Sequence, residues 1–167
     1  MGRVGFAILI VICGVPLFSA PPTAPGKQAD AVLDELHAAA AAADGKRYFA
    51  CFHPDAVFLG TDPAERWTLE AFRAYAAPHF DAGRGWTYRV EQRNLSRDDT
   101  AGVIWFDERL GNDKYGTCRG TGVLLRRNGE LRISQYSLSI PIPNDLALDV
   151  VDLIRKARTP KPVERSN

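Results

Sequence analysis

The sequence has few cysteines and almost no net charge, and both scarcities exclude classes of protein. Three cysteines in 167 residues are too few for a disulfide-stabilised scaffold, and no Cys-x-x-Cys or His-x-x-x-His spacing indicates a metal site. The net charge is +1 and no dense Lys/Arg stripe is present, so nucleic acid is not an expected partner. A hydrophobic content of 46% excludes a disordered chain and indicates one domain that can bury a core.

The N-terminal residues have the features of an export signal. Arg3 supplies a positive start, Phe6–Ile12 form a short apolar run, and small residues then precede a proline-rich stretch. The run is too short for a dedicated membrane span, so we expect residues 1–27 to be a signal peptide and leader of a secreted or periplasmic protein. The prolines after Ala20 make a poor cleavage site. An uncleaved membrane anchor and a cytosolic protein with an apolar leader therefore stay open.

Two cysteines remain in the expected mature chain, Cys51 and Cys118. Removal of residues 1–27 leaves 19 basic and 20 acidic residues, so nothing steers the domain toward an anionic partner. In an oxidising compartment the two thiols could pair. The sequence favours the alternative, in which both are buried and act as small hydrophobic side chains.

Apolar residues at helical spacing predict four helices. The third begins after Thr68, a candidate N-cap, and carries the apolar stripe. The fourth begins at Asn144 and is expected to pack on the domain, and residues 159–167 form a loose tail. The first two helices cover Asp30–Ala43 and Lys46–Phe52, the third-helix stripe is Leu69, Phe72, Ala76 and Phe80, and the buried side of the fourth is Leu146, Val150, Leu153 and Ile154.

Between and after these helices, the pattern changes to a period of two, which predicts strands. Asn128-Gly129 is a strong hairpin signal between the last two of them. The arrangement predicts an α+β fold: a curved antiparallel meander sheet with the N-terminal helices on its concave face, a cone-shaped half-barrel, plus a C-terminal helix. Glycines on one face of the long fourth strand favour this bend. The strands cover Ala56–Gly60, Trp86–Val90, Ala101–Leu110, Tyr115–Arg127 and Leu131–Ile140.

Several segments together resemble SnoaL-like proteins of the nuclear transport factor 2-like (ketosteroid isomerase-like) superfamily. The resemblance spans about Asp30 to Pro143 and implies a SnoaL-like domain over residues 28–143, followed by a C-terminal helix over 144–158. The superfamily includes isomerases, cyclases, dehydratases and non-catalytic binding or dimerisation domains, so the resemblance implies a fold more strongly than an activity. The segments are Asp44–Phe58, Phe106-Asp107-Glu108, Gly120–Leu124, Asn128–Ile133 and Gln135–Ser139.

The final strand of these proteins often carries a histidine where this chain has Gln135 and Ser137. This departure removes the most obvious acid–base groups. The remaining candidates for a general base are Asp107 and Glu108, which a strand sends to opposite faces, so only one can point into the cone. A carboxylate among aromatic rings could remove an acidic C–H proton. The alternative is a purely structural ion pair between this carboxylate and Arg119 on the next strand.

Polar and aromatic residues suggest a ligand pocket at the mouth of the cone. We expect Arg119, Gln135 and Ser137 to form one polar wall, opposite Tyr75 and His79 of the third helix. Phe106 and Tyr115 would add apolar surface, and either Arg119 or Tyr115 could polarise a carbonyl group. The other two histidines are not expected in the pocket: His53 suits a loop or capping role, and His37 is expected to face solvent.

The sequence therefore carries three functional hypotheses. The first is an exported, cofactor-free, homodimeric domain that binds a small hydrophobic molecule. The second is an isomerase or cyclase type of enzyme with Glu108 or Asp107 as general base, and the third is a non-catalytic dimerisation or interaction domain. Because neighbouring strand residues diverge, Trp105 or Phe106 must lie on the uncovered sheet face, where an aromatic patch would suit a homodimer interface.

Overall fold

The computed structural model describes residues 25–158, so the expected signal peptide and the loose tail lie outside the described residues. Two helices and two strands are followed by a third helix and then by a four-strand meander. In order they are α1 (Pro25–Ala41), α2 (Gly45–Ala50), β1 (Phe52–Leu59), β2 (Arg66–Thr68), α3 (Leu69–Asp81), β3 (Arg89–Asp98), β4 (Val103–Asn112), β5 (Gly116–Arg127), β6 (Glu130–Ser139), a 3-10 turn (Asn144–Leu146) and α4 (Ala147–Arg158).

The six strands form one curved sheet in the order β2-β1-β6-β5-β4-β3. This architecture confirms the α+β fold class with helices on one face of the sheet. The sheet is mixed, because β1 pairs parallel to β6 while the other pairs are antiparallel. Parallel pairing of β1 joins strands separated by most of the domain, so the local hairpin signals in the sequence give no indication of it.

The structure confirms the Thr68 cap and the Asn128-Gly129 hairpin and shows a second helix cap that was not expected. The Thr68 hydroxyl accepts a hydrogen bond from the backbone N–H of Ala71 at 3.2 Å and caps α3. Asp44 caps α2 in the same way, through the N–H of Arg47 at 3.0 Å. Asn128 and Gly129 both adopt positive φ angles, 52° and 83°, as a tight hairpin between β5 and β6 requires.

Several boundaries of helices and strands differ from the expected ones before and after α3. The second helix ends at Ala50, and β1 begins at Phe52, because the Cys51 carbonyl accepts from the N–H of Ile133 at 2.9 Å and draws this segment onto the sheet. His53 therefore lies in a strand and not in a loop. The strand expected at Trp86 begins only at Arg89. The three-residue strand β2 was not predicted, since it is too short to show a period.

The two faces of β4 and β5 separate core from surface. Ile104, Phe106 and Glu108 point inward and are buried, whereas Trp105 points outward and is 48% exposed. A Cβ atom on Gly122 would stand 2.8 Å from the Phe106 ring, so glycine is needed there for the ring to lie across β5. Of the two candidates for the uncovered face, Trp105 is the one that lies on it.

The expected burial of the C-terminal helix is wrong. No residue of α4 is buried; Leu153 is 64% exposed and Ile154 45% exposed, and Leu146 in the preceding turn is 48% exposed. Pro141 and Pro143 follow β6 directly, and proline cannot continue the strand ladder. The chain leaves the sheet at this point, and α4 extends from it. None of the helices within residues 25–158 has both the length and the apolar character of a membrane span.

Candidate functional site

A cavity of about 410 Å³ opens between α3, the β1–β2 hairpin, residues 84–88 and the β4–β5 turn. We call it the aromatic cavity, because seven aromatic side chains line it together with Leu138. The deeper rings are Phe58 and Phe72, which stack at 3.8 Å between centroids. The remaining five rings are Trp67, Tyr75, Trp86, Tyr88 and Tyr115.

The capped start of α3 sets the position of the cavity wall that this helix provides. Tyr75 and His79 are four residues apart and therefore project from the same side of α3, with ring centroids 5.5 Å apart. Tyr75 packs perpendicular to the Trp67 ring of β2, with ring centroids 4.4 Å apart. The structure thus places Tyr75, His79 and Tyr115 of the expected site residues in the lining.

Tyr75 and Tyr115 keep about half of their surface exposed, 51% and 45% respectively, although both border the cavity. Tyr88 is more enclosed, and burial raises the pKa of its hydroxyl to about 12. At neutral pH Tyr88 is therefore a hydrogen-bond donor and carries no charge. The lining combines half-exposed aromatic rings with a neutral hydroxyl group.

The polar residues expected from β5 and β6 do not reach this cavity. Arg119 lies opposite Arg109 in the β4–β5 register, and Gln135 lies opposite Val123 in the β5–β6 register, so both belong to the outer sheet face. Ser137 shares that face. The expected polar wall is wrong: the inward residues of β5 are the even-numbered ones, and in β6 a bulge between Ile133 and Gln135 makes Tyr136 and Leu138 point inward, so Gln135 and Ser137 point outward. Phe106 is also absent from the lining, since it is buried in the core against Tyr136 at 5.8 Å between centroids.

The structure separates the two candidate carboxylates. Asp107 is exposed on the outer face, where it accepts a hydrogen bond from the Asn94 amide at 2.9 Å. Glu108 points inward and its side chain is fully buried, but it does not reach the aromatic cavity. Of the two carboxylates, Glu108 is therefore the one that faces inward.

Glu108 belongs to a buried ionic cluster that joins α1 to the sheet. Its Oε1 accepts from Arg93 Nε at 2.8 Å, and its Oε2 lies 2.9 Å from His37 Nε2. Arg93 Nη1 also donates to the carboxylates of Asp30 at 3.1 Å and Asp34 at 2.9 Å. Burial opposes the charge of Arg93, but the hydrogen bonds to Glu108, Asp30 and Asp34 outweigh it and raise the pKa of the guanidinium.

Two sequence-based expectations about this cluster are wrong. The partner of Glu108 is Arg93 and not Arg119, because the residue opposite Glu108 on β5 is Gly120. His37 does not face solvent, since its side chain is only 11% exposed and meets Glu108. The sequence could have indicated Arg93 as the partner. In an antiparallel hairpin that pairs Asp98 with Val103, the fifth residue before Asp98 lies opposite the fifth residue after Val103, and these residues are Arg93 and Glu108.

The cluster also affects Tyr136, the aromatic residue next to it. A Cβ atom on Gly120 would collide with the Tyr136 hydroxyl and stand 3.1 Å from Glu108 Oε2, so the absence of a side chain at Gly120 makes room for both groups. Burial, together with the nearby charge of Glu108, raises the pKa of Tyr136 well above its ordinary value. Tyr136 stacks on Phe58 at 5.8 Å between centroids and thus separates the cluster from the cavity lining.

The remaining candidate residues are buried inside the fold. His53 is 5% exposed, and its Nε2 donates to the Leu125 carbonyl at 2.9 Å. Cys51 and Cys118 are both buried and unpaired. Burial raises the pKa of the Cys51 thiol to about 11 and that of Cys118 in the same direction. These side chains serve the interior of the fold and lie outside the aromatic cavity.

A known domain family matches most of the part of the chain that forms this fold. The SnoaL-like domain family matches residues 29–143, which is more than half of the chain. The chain belongs to the SnoaL-like domain family. The resemblance of the sequence segments is thereby confirmed, and the SnoaL-like domain contains every residue that lines the aromatic cavity.

Solved structures show the same fold at low sequence identity. A nuclear transport factor 2-like protein of unknown function from Pseudomonas putida is 14% identical, with a TM-score of 0.59, over 73% of this chain and 92% of that one. A domain of unknown function with a cystatin-like fold from Nostoc punctiforme is 12% identical, with a TM-score of 0.62, over 81% and 88%. A cystatin-like fold protein from Burkholderia xenovorans is 19% identical, with a TM-score of 0.58, over 71% and 94%. No curated protein matches the sequence.

Proposed function

We propose that this SnoaL-like domain binds a small, largely apolar molecule in the aromatic cavity. The observation that carries the proposal is a cavity of about 410 Å³ with seven aromatic rings in its lining. This volume lies within the range of about 300–1,000 Å³ that ligand pockets occupy, and such pockets are mostly apolar with a few polar groups. The half-exposed rings of Tyr75 and Tyr115 offer aromatic surface to a ligand.

The distribution of carboxylates supports binding over isomerase or cyclase chemistry. A general base must lie within hydrogen-bond reach of the proton that it removes. Glu108 and Asp107 both lie away from the aromatic cavity, one buried in its ionic cluster and the other on the outer sheet face. The carboxylate in the lining, Glu65, already accepts from the N–H of Asp62 at 3.2 Å in its own loop.

The open volume supports binding over a purely structural domain. In a structural domain the side chains of α3 and the sheet would fill the mouth of the cone, and Tyr75 and Tyr115 would be covered. Both keep about half of their surface exposed here. Exposed aromatic surface next to an open volume costs free energy unless a ligand or a partner covers it.

The test uses N-phenyl-1-naphthylamine, an uncharged aromatic probe whose fluorescence increases in apolar surroundings. We expect saturable binding, with energy transfer from Trp67 and Trp86, which border the cavity. Tyr75→Ala removes one ring face and should weaken binding about fivefold, the equivalent of roughly 1 kcal/mol for an aromatic pair. Trp105→Ala is the matched control, because Trp105 is similarly exposed at 48% but lies on the other sheet face.

Two results would contradict the proposal. One is the absence of saturable probe binding to folded protein. The other is equal weakening by Tyr75→Ala and by the Trp105→Ala control, which would place the bound probe on the outer face or on both faces.

A further inference from the structure

We propose that the ligand of the aromatic cavity carries one anionic group of the carboxylate class, held at the mouth by Lys114 and Arg84. This inference rests on the proposed binding function and adds the chemical class of the ligand. Both cations belong to the lining, on the β4–β5 turn and on the segment that follows α3 respectively. The apolar body would lie among the rings, with the charged end toward solvent.

The first argument is that neither cation is neutralised by the protein. Within residues 25–158, neither Lys114 nor Arg84 has a carboxylate partner, whereas eight arginines of the same part of the chain form ion pairs. Most arginines in this domain are therefore engaged with acidic side chains. Two cations that border one cavity and lack such partners provide a site for an anion from solution.

The second argument is that the position of Lys114 is fixed by its turn. The Asn112 side-chain oxygen accepts hydrogen bonds from the backbone N–H groups of Lys114 at 3.0 Å and of Tyr115 at 2.9 Å. The Lys114 ammonium lies 4.9 Å from the centroid of the Tyr115 ring, which also lines the cavity. Backbone hydrogen bonds and a cation–π contact thus hold the positive charge beside the cavity before any ligand arrives.

The third argument compares anionic, cationic and neutral ligands. Within the described part of the chain, the lining holds one acidic residue, Glu65, whose carboxylate accepts from the N–H of Asp62, and two basic residues, so the charge of the lining is positive on balance. A cationic ligand would meet two positive charges at the mouth, so repulsion would offset its attraction to the rings. A neutral ligand could accept a hydrogen bond from Lys114 or Arg84 but would gain no charge–charge attraction. An anionic ligand gains from both.

The test is a set of three competitors that share one ring system and differ in the attached group. These are 2-naphthoate, 2-naphthalenemethanol and 2-naphthylmethylammonium, each titrated against bound N-phenyl-1-naphthylamine. We expect 2-naphthoate to displace the probe at about fivefold lower concentration than the alcohol, since each exposed ion pair contributes a small but measurable amount. The ammonium compound should be the weakest, and the advantage of naphthoate should shrink as salt is added.

A double variant assigns the preference to the two cations. Lys114→Gln with Arg84→Gln should remove the advantage of naphthoate over the alcohol, measured as the ratio of their displacement concentrations within the same variant. The matched control is Lys46→Gln with Arg119→Gln, which removes one lysine and one arginine that are exposed and lie outside the cavity lining. The control should keep the preference intact.

The outcomes separate this inference from the function on which it rests. If the uncharged probe binds but the three competitors displace it equally, or if the double variant keeps the naphthoate preference, the anionic ligand class is wrong and the binding function stands. If the uncharged probe does not bind to the folded protein, both proposals are wrong. Loss of the preference in the control variant as well would show a general charge effect and would overturn the assignment to Lys114 and Arg84.

Discussion

The substitution Glu108→Gln tests whether the buried ionic cluster stabilises the fold. Glutamine has the size and shape of glutamate but no charge, so the change creates no cavity. Its carbonyl oxygen can still accept from Arg93 Nε, and its amide group can face His37. What the change removes is the negative charge beside a guanidinium that is only 9% exposed.

The magnitude follows from the partners that Arg93 keeps. A hydrogen bond to a charged group contributes about 1 kcal/mol more than a neutral one. Loss of a buried counter-ion is costly by itself, but Asp30 and Asp34 still face Arg93 and are 48% and 69% exposed. We therefore expect Glu108→Gln to lower the free energy of unfolding by about 2 kcal/mol, or the melting temperature by roughly 6 °C.

The assay is thermal and urea unfolding at pH 7, followed by tryptophan fluorescence. Asp107→Asn is the matched control, because Asp107 is the next residue on the same strand, makes one side-chain hydrogen bond and is exposed. The control should change stability by less than about 0.5 kcal/mol. An unchanged or higher midpoint for Glu108→Gln would refute the reasoning, since it would identify Glu108 as a strained carboxylate whose charge the fold does not need.

Two further predictions concern the thiols and the outer sheet face. In a Cys13→Ser variant at pH 8, Cys51 and Cys118 should react with Ellman's reagent in urea but not in the native protein, because both thiols are buried and burial raises their pKa values. Prompt reaction of the native protein would contradict this prediction. From the exposed Trp105 we expect a homodimer through the outer face, so light scattering should give about twice the mass of one chain, and Trp105→Glu should give the monomer. A monomeric wild-type protein at micromolar concentration would refute the second prediction.

The parts of the fold that the sequence predicts correctly are those set by local interactions. The Thr68 cap, the Asn128-Gly129 hairpin and the alternation along β4 depend on residues a few positions apart, and all are found in the structure. The parallel β1–β6 pair depends on residues about 80 positions apart, for example Val57 and Gln135, and no local pattern indicates it. The apolar stripe of α4 is real, but amphipathicity alone does not specify the surface that covers it.

The candidate site was predicted only in part, because two surfaces of one sheet were merged into a single pocket. Tyr75, His79 and Tyr115 border the aromatic cavity, since helix spacing and the turn after β4 bring them there. Arg119 and Gln135 were assigned to the same pocket from their polarity within apolar strands, without the register that sends them outward. Strand parity relative to the buried Leu124 sends Arg119 outward, but the bulge between Ile133 and Gln135 reverses the parity along β6, and no local pattern in the sequence indicates that bulge.

The separation of the ionic cluster from the aromatic cavity has a consequence for the same substitution. Tyr136 lies between them, because it stacks on the cavity residue Phe58 and packs beside Glu108 above Gly120. If Glu108 acts only through stability, then Glu108→Gln should leave the affinity of the folded protein for N-phenyl-1-naphthylamine unchanged while it lowers the melting temperature. If Glu108 instead reaches the ligand, the affinity should change in protein that is still fully folded at the assay temperature. Asp107→Asn should alter neither quantity, so a change in affinity confined to Glu108→Gln would move the candidate site inward, to the cluster itself.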